Sequence, residues 1–160
     1  MESLIAKALQ LQYEPVAILW SDEKPEGAMQ FSPGKWGCVM WLAVSAAKGR
    51  SAAADKKTFG CVGGGVGLGF GNQYLNFPGG LEGFCYFLSS GNAGRPGGAE
   101  LAEQVKPFMT KESYENFLQG ERYIKNPKLA EKFVEALPMT DVPAAYVVFQ
   151  PLSSVDPATE

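Results

Sequence analysis

The sequence predicts an α+β fold, with α/β as the alternative: one compact domain over residues 1–150 with a small mixed sheet, several short helices and a loosely held tail over 151–160. Three observations lead there. Pro15-Val16-Ala17-Ile18-Leu19-Trp20 and Ala144-Ala145-Tyr146-Val147-Val148-Phe149 are continuous apolar runs of strand length. Other stretches repeat apolar residues at helical spacing between glycine and proline breakers. The length of 160 residues is that of one domain, long enough to bury roughly 70% of its unfolded surface.

The elements follow in order. Leu4, Ile5, Ala8 and Leu11 recur at helical spacing, so a short amphipathic helix opens the chain and Pro15 ends it. The run 15–20, with no polar alternation, reads as a strand buried on both faces. Residues 21–27 form a charged turn. Cys38 to Lys48 has no internal glycine or proline and reads as a helix with Cys38 in its first turn and Gly49 as its cap. Residues 53–58 are short and polar, Phe59-Gly60-Cys61 ends a strand, and Val62 to Phe70 is a glycine-rich turn feeding a short helix. Leu81 to Leu88 is another helix, carrying Cys85, and residues 89–98 are loop. Glu100 to Val105, Lys111 to Leu118 and Lys128 to Leu137 are charged amphipathic helices, the last stopped by Pro138. The second clear strand is 144–149.

Composition removes several function classes. A formal net charge of −3 argues against nucleic acid as a partner. No apolar run approaches the roughly 18 residues of a membrane span, and the first residues lack the basic and apolar regions of a signal peptide. A cytoplasmic protein is the expectation. With three cysteines, no closed set of disulfides forms within one chain, which suits a reducing compartment.

Chemistry concentrates in residues 36–91. All three cysteines lie there, each with a glycine one or two residues before it: Gly37-Cys38, Gly60-Cys61 and Gly83-Phe84-Cys85. There is no histidine in the chain, which excludes a Cys–His nucleophile pair. Thiolate is a soft ligand suited to iron–sulfur clusters, zinc or cuprous copper, and no paired C-x₂-C of a structural zinc site occurs. Three cysteines match a [4Fe–4S] cluster with one iron left open, or a [3Fe–4S] cluster. Water, a substrate or a carboxylate such as Glu82 would take the open position. If Cys38 and Cys61 stand at helix starts, the first amides favour a negatively charged sulfur. The glycines Gly60, Gly63, Gly64 and Gly65 would let backbone approach the cluster. Trp36, Trp41, Phe70, Phe84 and Phe87 would keep water away.

Rival readings stand beside this one. Cysteine is often simply buried, so three inert core cysteines explain the same positions. One thiol activated at a helix start is another possibility. The glycine run fits neither G-x-G-x-x-G followed by an acidic residue at a strand end nor a P-loop, so it carries no dinucleotide or nucleoside-phosphate signature. Acidic residues such as Glu100, Glu103, Glu112 and Glu115 read as solvated helix faces.

The chain resembles the uncharacterised prokaryotic family called domain of unknown function 169. The resemblance is carried by Pro15-Val16-Ala17-Ile18, the Cys38 segment, Cys61-Val62-Gly63-Gly64-Gly65 with Leu68-Gly69, and Phe77-Pro78-Gly79-Gly80. It continues through Phe87-Leu88-Ser89-Ser90-Gly91-Asn92, Gly120-Glu121-Arg122-Tyr123 and the strand before Pro151-Leu152. It implies an anaerobic setting, which suits an oxygen-sensitive cluster, and carries over Cys38 and Cys61 more firmly than Cys85. It also implies a further strand and helix beyond Pro151-Leu152. The expectation is therefore an iron–sulfur protein with Cys38, Cys61 and Cys85 as ligands, in a redox or Lewis-acid role, with a redox partner or small-molecule ligand and self-association possible. The alternative is a metal-free module that binds a small anionic ligand and holds its cysteines as core.

Overall fold

A computed structural model describes residues 3–32 and 37–156. In chain order its elements are α1 (Leu4–Ala8), β1 (Val16–Ser21), α2 (Val39–Ala47), β2 (Ala52–Ala54), α3 (Val62–Gly67), α4 (Gly80–Leu88), α5 (Gly98–Val105), α6 (Lys111–Gln119), α7 (Pro127–Ala136) and β3 (Tyr146–Pro151). The fold is α+β. The described residues divide into two compact units, one running to Gly71 and resuming at Thr140, the other spanning Asn72–Met139.

The first unit is built on a three-stranded antiparallel sheet of order β1-β3-β2. The mixed character expected of the sheet is limited to one parallel bridge, Met29 to Ala52. Strand β3 occupies the centre because its residues are apolar on both faces. On one face Val147 and Phe149 stand opposite Ala54 and Ala52, large against small, and Leu42 and Ala46 of α2 pack into the same core. On the other face Val148 lies with Ala53 and Ala28. Complete burial of Leu42, Val147 and Phe149 contributes about 1.5–3 kcal/mol each.

Four expectations about this unit need correction. Strand β1 is not buried on both faces: it lies at the sheet edge, and Ile18 and Trp20, two residues apart on one face, are exposed. The polar stretch expected at 53–58 begins as the buried strand β2. It then turns on Asp55, whose Oδ1 accepts the backbone N–H groups of Lys57 and Thr58, both at 2.7 Å. Consequently no strand ends at Phe59–Cys61. Beyond β3, Leu152–Ser154 form a 3-10 turn, the Leu152 N–H donates to the Pro15 carbonyl at 2.9 Å, and Val155 is buried. The expected loose tail is thus packed as far as this; residues 157–160 lie outside the described residues.

The second unit is helical. Tyr74, Phe77, Phe84, Phe87 and Phe117 form one aromatic cluster, with Tyr74 stacked on Phe84 at 4.2 Å between centroids. Behind it the chain crosses itself. Gly91 and Gly120, at φ +84° and +76°, meet backbone to backbone, with no room for a side chain at either. Backbone bonds from Glu121 to Phe87, Arg122 to Ser89 and Ile124 to Leu88 lock the segment 120–124 onto the end of α4. Asn92 fastens the crossing: wholly buried, its Nδ2 donates to the carbonyls of Gly83 at 3.1 Å and Phe117 at 3.3 Å.

Candidate functional site

Cys38 and Cys61 occupy equivalent places in the first unit. Each is the N-cap of a helix, Cys38 of α2 and Cys61 of α3, and each is half-buried with extended backbone. The arrangement follows from local sequence. Gly37 lies flush against the Phe31 ring, which fixes the entry to α2. At α3 the Cys61 Sγ accepts the Gly64 N–H at 3.4 Å, the place a serine or aspartate oxygen takes in an ordinary cap. Helix starts present unpaired N–H groups and partial positive charge, surroundings that favour negative charge on sulfur.

Cys61 packs against the core cluster that includes Phe59 and that Phe31 also borders, the two rings 6.0 Å apart between centroids, and Gly37, the residue before Cys38, lies against Phe31. Trp41 packs on Phe31 at 5.0 Å, and Phe70 meets Phe59 edge-on at 6.3 Å. Trp41 and Phe70 thus join the ring group of the first unit, while Phe84 and Phe87 belong to the aromatic cluster of the second unit. Trp36 lies outside the described residues.

The glycines divide by what surrounds them. Gly60 and Gly63 are exposed, and a side chain at Gly63 would meet nothing within 4 Å. Gly64 is tight, since a methyl there would stand 3.0 Å from the Phe59 ring and 3.2 Å from Cys61 Sγ. Gly65 is buried in α3, its N–H closing the first turn on the Cys61 carbonyl at 2.8 Å. Downstream, Gly69 faces Val142 and its carbonyl accepts the Val142 N–H at 2.8 Å, so that part of the run is packing.

Cys85 is different in kind. It sits inside α4, in the second unit, buried beside Phe84. Burial, then the carboxylates of Glu131, Glu135 and Glu82, pushes its thiol pKa up. These surroundings hold the proton on sulfur and oppose a thiolate ligand. Glu82, the carboxylate considered for an open iron, is paired with Arg95 at 2.8 Å. Among the described residues, no three His, Cys, Asp or Glu side chains gather as a metal site.

Gly91, Asn92 and Gly120 are among the residues that carry the family resemblance, but their structural role, the backbone crossing fastened by Asn92, leaves no local signal in the sequence. Among the described residues no helix is long and apolar enough to cross a membrane. In comparison with known proteins, the model of a family described as uncharacterised ArCR matches residues 4–159. Neither the curated proteins nor the solved structures yield a match.

Proposed function

We propose that this chain, which belongs to the family named domain of unknown function 169, is an iron–sulfur protein whose [4Fe–4S] cluster is anchored by Cys38 and Cys61. The observation that carries the reading is that two half-buried cysteines each stand at the N-cap position of a helix in the same unit, Cys61 packed on its core and Cys38 next to Gly37, which lies against Phe31. Soft sulfur donors in positive helix-end potential, with an apolar backing, are what an anionic cluster requires. Cys85 was the third ligand expected from the sequence; its surroundings resist ionisation, so the reading rests on the other two. Bound there, a cluster would supply one-electron redox chemistry or a Lewis-acidic iron. A reducing cytoplasm is the compartment such a site calls for.

Anaerobic purification tests the proposal. Brown protein absorbing near ~400 nm is expected, with the colour and iron lost in Cys38→Ser and in Cys61→Ser. Colourless, iron-free protein from strict anoxia would overturn it in favour of a metal-free module for a small anionic ligand, and both variants keeping full iron would overturn Cys38 and Cys61 as the ligands.

A further inference from the structure

We infer that two copies of this chain pair through strand β1, antiparallel and in the register that sets Ile18 opposite its own counterpart, so that two three-stranded sheets become one continuous sheet. Iron plays no part in this contact. Sheet order β1-β3-β2 gives two outer strands, and they differ. The outer side of β2 is covered, because Met29 donates to the Ser51 carbonyl at 3.0 Å and accepts the Ala53 N–H at 2.7 Å. Strand β1 is six residues long, and among the described residues none of its backbone groups is bonded on the side away from β3.

The pairing with β3 fixes which groups point outward. The Leu152 N–H donates to the Pro15 carbonyl, so residues 15 and 152 face each other as a hydrogen-bonded pair. Alternation then makes Ala17–Gln150, Leu19–Val148 and Ser21–Tyr146 the next bonded pairs. Val16, Ile18 and Trp20 therefore turn their N–H and C=O groups outward. A two-fold axis at Ile18 sets these residues opposite Trp20, Ile18 and Val16 of the copy, each pair exchanging both of its bonds. This register alone uses all three outward residues of both strands.

Side chains and charge agree with it. Ile18 and Trp20 share the face of their cross-strand partners Phe149 and Val147, yet they are 48% and 54% exposed. In the paired state Ile18 meets Ile18 and Trp20 meets Val16 of the copy, which takes apolar surface out of water. Trp20 is already held, its Nε1 donating to the Leu68 carbonyl at 3.1 Å, so covering it loses little side-chain freedom. Charge, proline and bulges are what keep an edge strand from pairing, and Val16–Ser21 has none of them. The nearest charges, Glu14 and Asp22, fall beyond the paired residues. A foreign strand would satisfy one such edge, whereas a second copy satisfies two at once. One strand pair is smaller than the roughly 800 Å² per partner of a standard interface, so the dimer should dissociate on dilution.

The test measures the solution mass of the full chain by sedimentation over a concentration series, with amide hydrogen exchange read residue by residue at both ends of it. Twice the chain mass is expected at high concentration and single-chain mass on dilution. The Val16, Ile18 and Trp20 amides should be protected only in the dimer, and those of Ala17, Leu19 and Ser21 in both states. Ile18→Lys places two like charges on the axis and should abolish the dimer while leaving the unfolding midpoint of the dilute chain unchanged. Met40→Lys, at an exposed position on α2, should keep the dimer. Single-chain mass throughout, a dimer that survives Ile18→Lys, or one lost in Met40→Lys would overturn the inference. Protection of the three outward amides on a particle of single-chain mass would assign the edge to a segment of the same chain and overturn the second copy as its occupant.

Discussion

Adding one methyl group at either of two adjacent glycines in α3 separates packing from propensity. Both glycines lie in the helix, so alanine at either one gains about 0.5–1 kcal/mol from the unfolded chain's lost freedom and better helix propensity. At Gly63 nothing opposes that gain, since no atom lies within 4 Å of the new methyl. At Gly64 the methyl arrives 3.0 Å from the Phe59 ring and 3.2 Å from Cys61 Sγ, against a comfortable carbon separation of about 3.5–4.0 Å. Phe59 is buried between Phe31 and Phe70 and has little room to yield, so overpacking costs about 1–3 kcal/mol. Gly63→Ala should therefore raise the urea midpoint at constant slope, while Gly64→Ala leaves it unchanged or lowers it by up to about 2 kcal/mol equivalent. If sulfur moves to accommodate the methyl, Gly64→Ala also loses iron and Gly63→Ala does not. Equal stabilisation of both variants with equal iron content would refute the close approach at Gly64.

In the second unit, Asn92→Ala leaves the Gly83 and Phe117 carbonyls without their buried donor, and chemical denaturation should show a loss of about 2–4 kcal/mol. Gly120→Ala forces a side chain against the Gly91 backbone at φ +76° and should prevent cooperative folding, whereas Gly97→Ala, at φ +71° in open space, should cost only about 1–2 kcal/mol. Thiol alkylation should find Cys85 slow at neutral pH, with its rate rising only above the usual thiol value of 9.0. Because burial is the largest cause, Glu131→Gln should recover only part of the rate. The native state holds this proton more tightly than the unfolded chain, so Cys85's contribution to stability is full below the ordinary thiol range and disappears as pH climbs through the raised value.

Local patterns were legible and distant ones were not. Helices α2, α4, α5, α6 and α7 were readable because their apolar spacing and breakers are local, and Cys38 at the start of α2 followed from the same reading. Strand β2 was hidden because three alanines have neither β-branching nor alternation; their use is to be small opposite Phe149 and Val147. The apolar run of β1 reads like a central strand, yet its place is an edge, since which strand lies in the middle depends on pairing with a segment some 130 residues away. The crossing of Gly91 with Gly120 depends on two backbones approaching, which leaves no periodic trace. For the cysteines, helix-start positions were readable for two, whereas the acidic surroundings of Cys85 come from α7, 46 residues or more further on.

The account stands or falls on whether Cys38 and Cys61 hold iron. Iron and acid-labile sulfide measured on anaerobically prepared protein, beside the Cys38→Ser and Cys61→Ser variants, address it directly. The account predicts iron and sulfide in equal amounts in the parent chain and neither in the variants. A folded parent chain free of both under strict anoxia would contradict it.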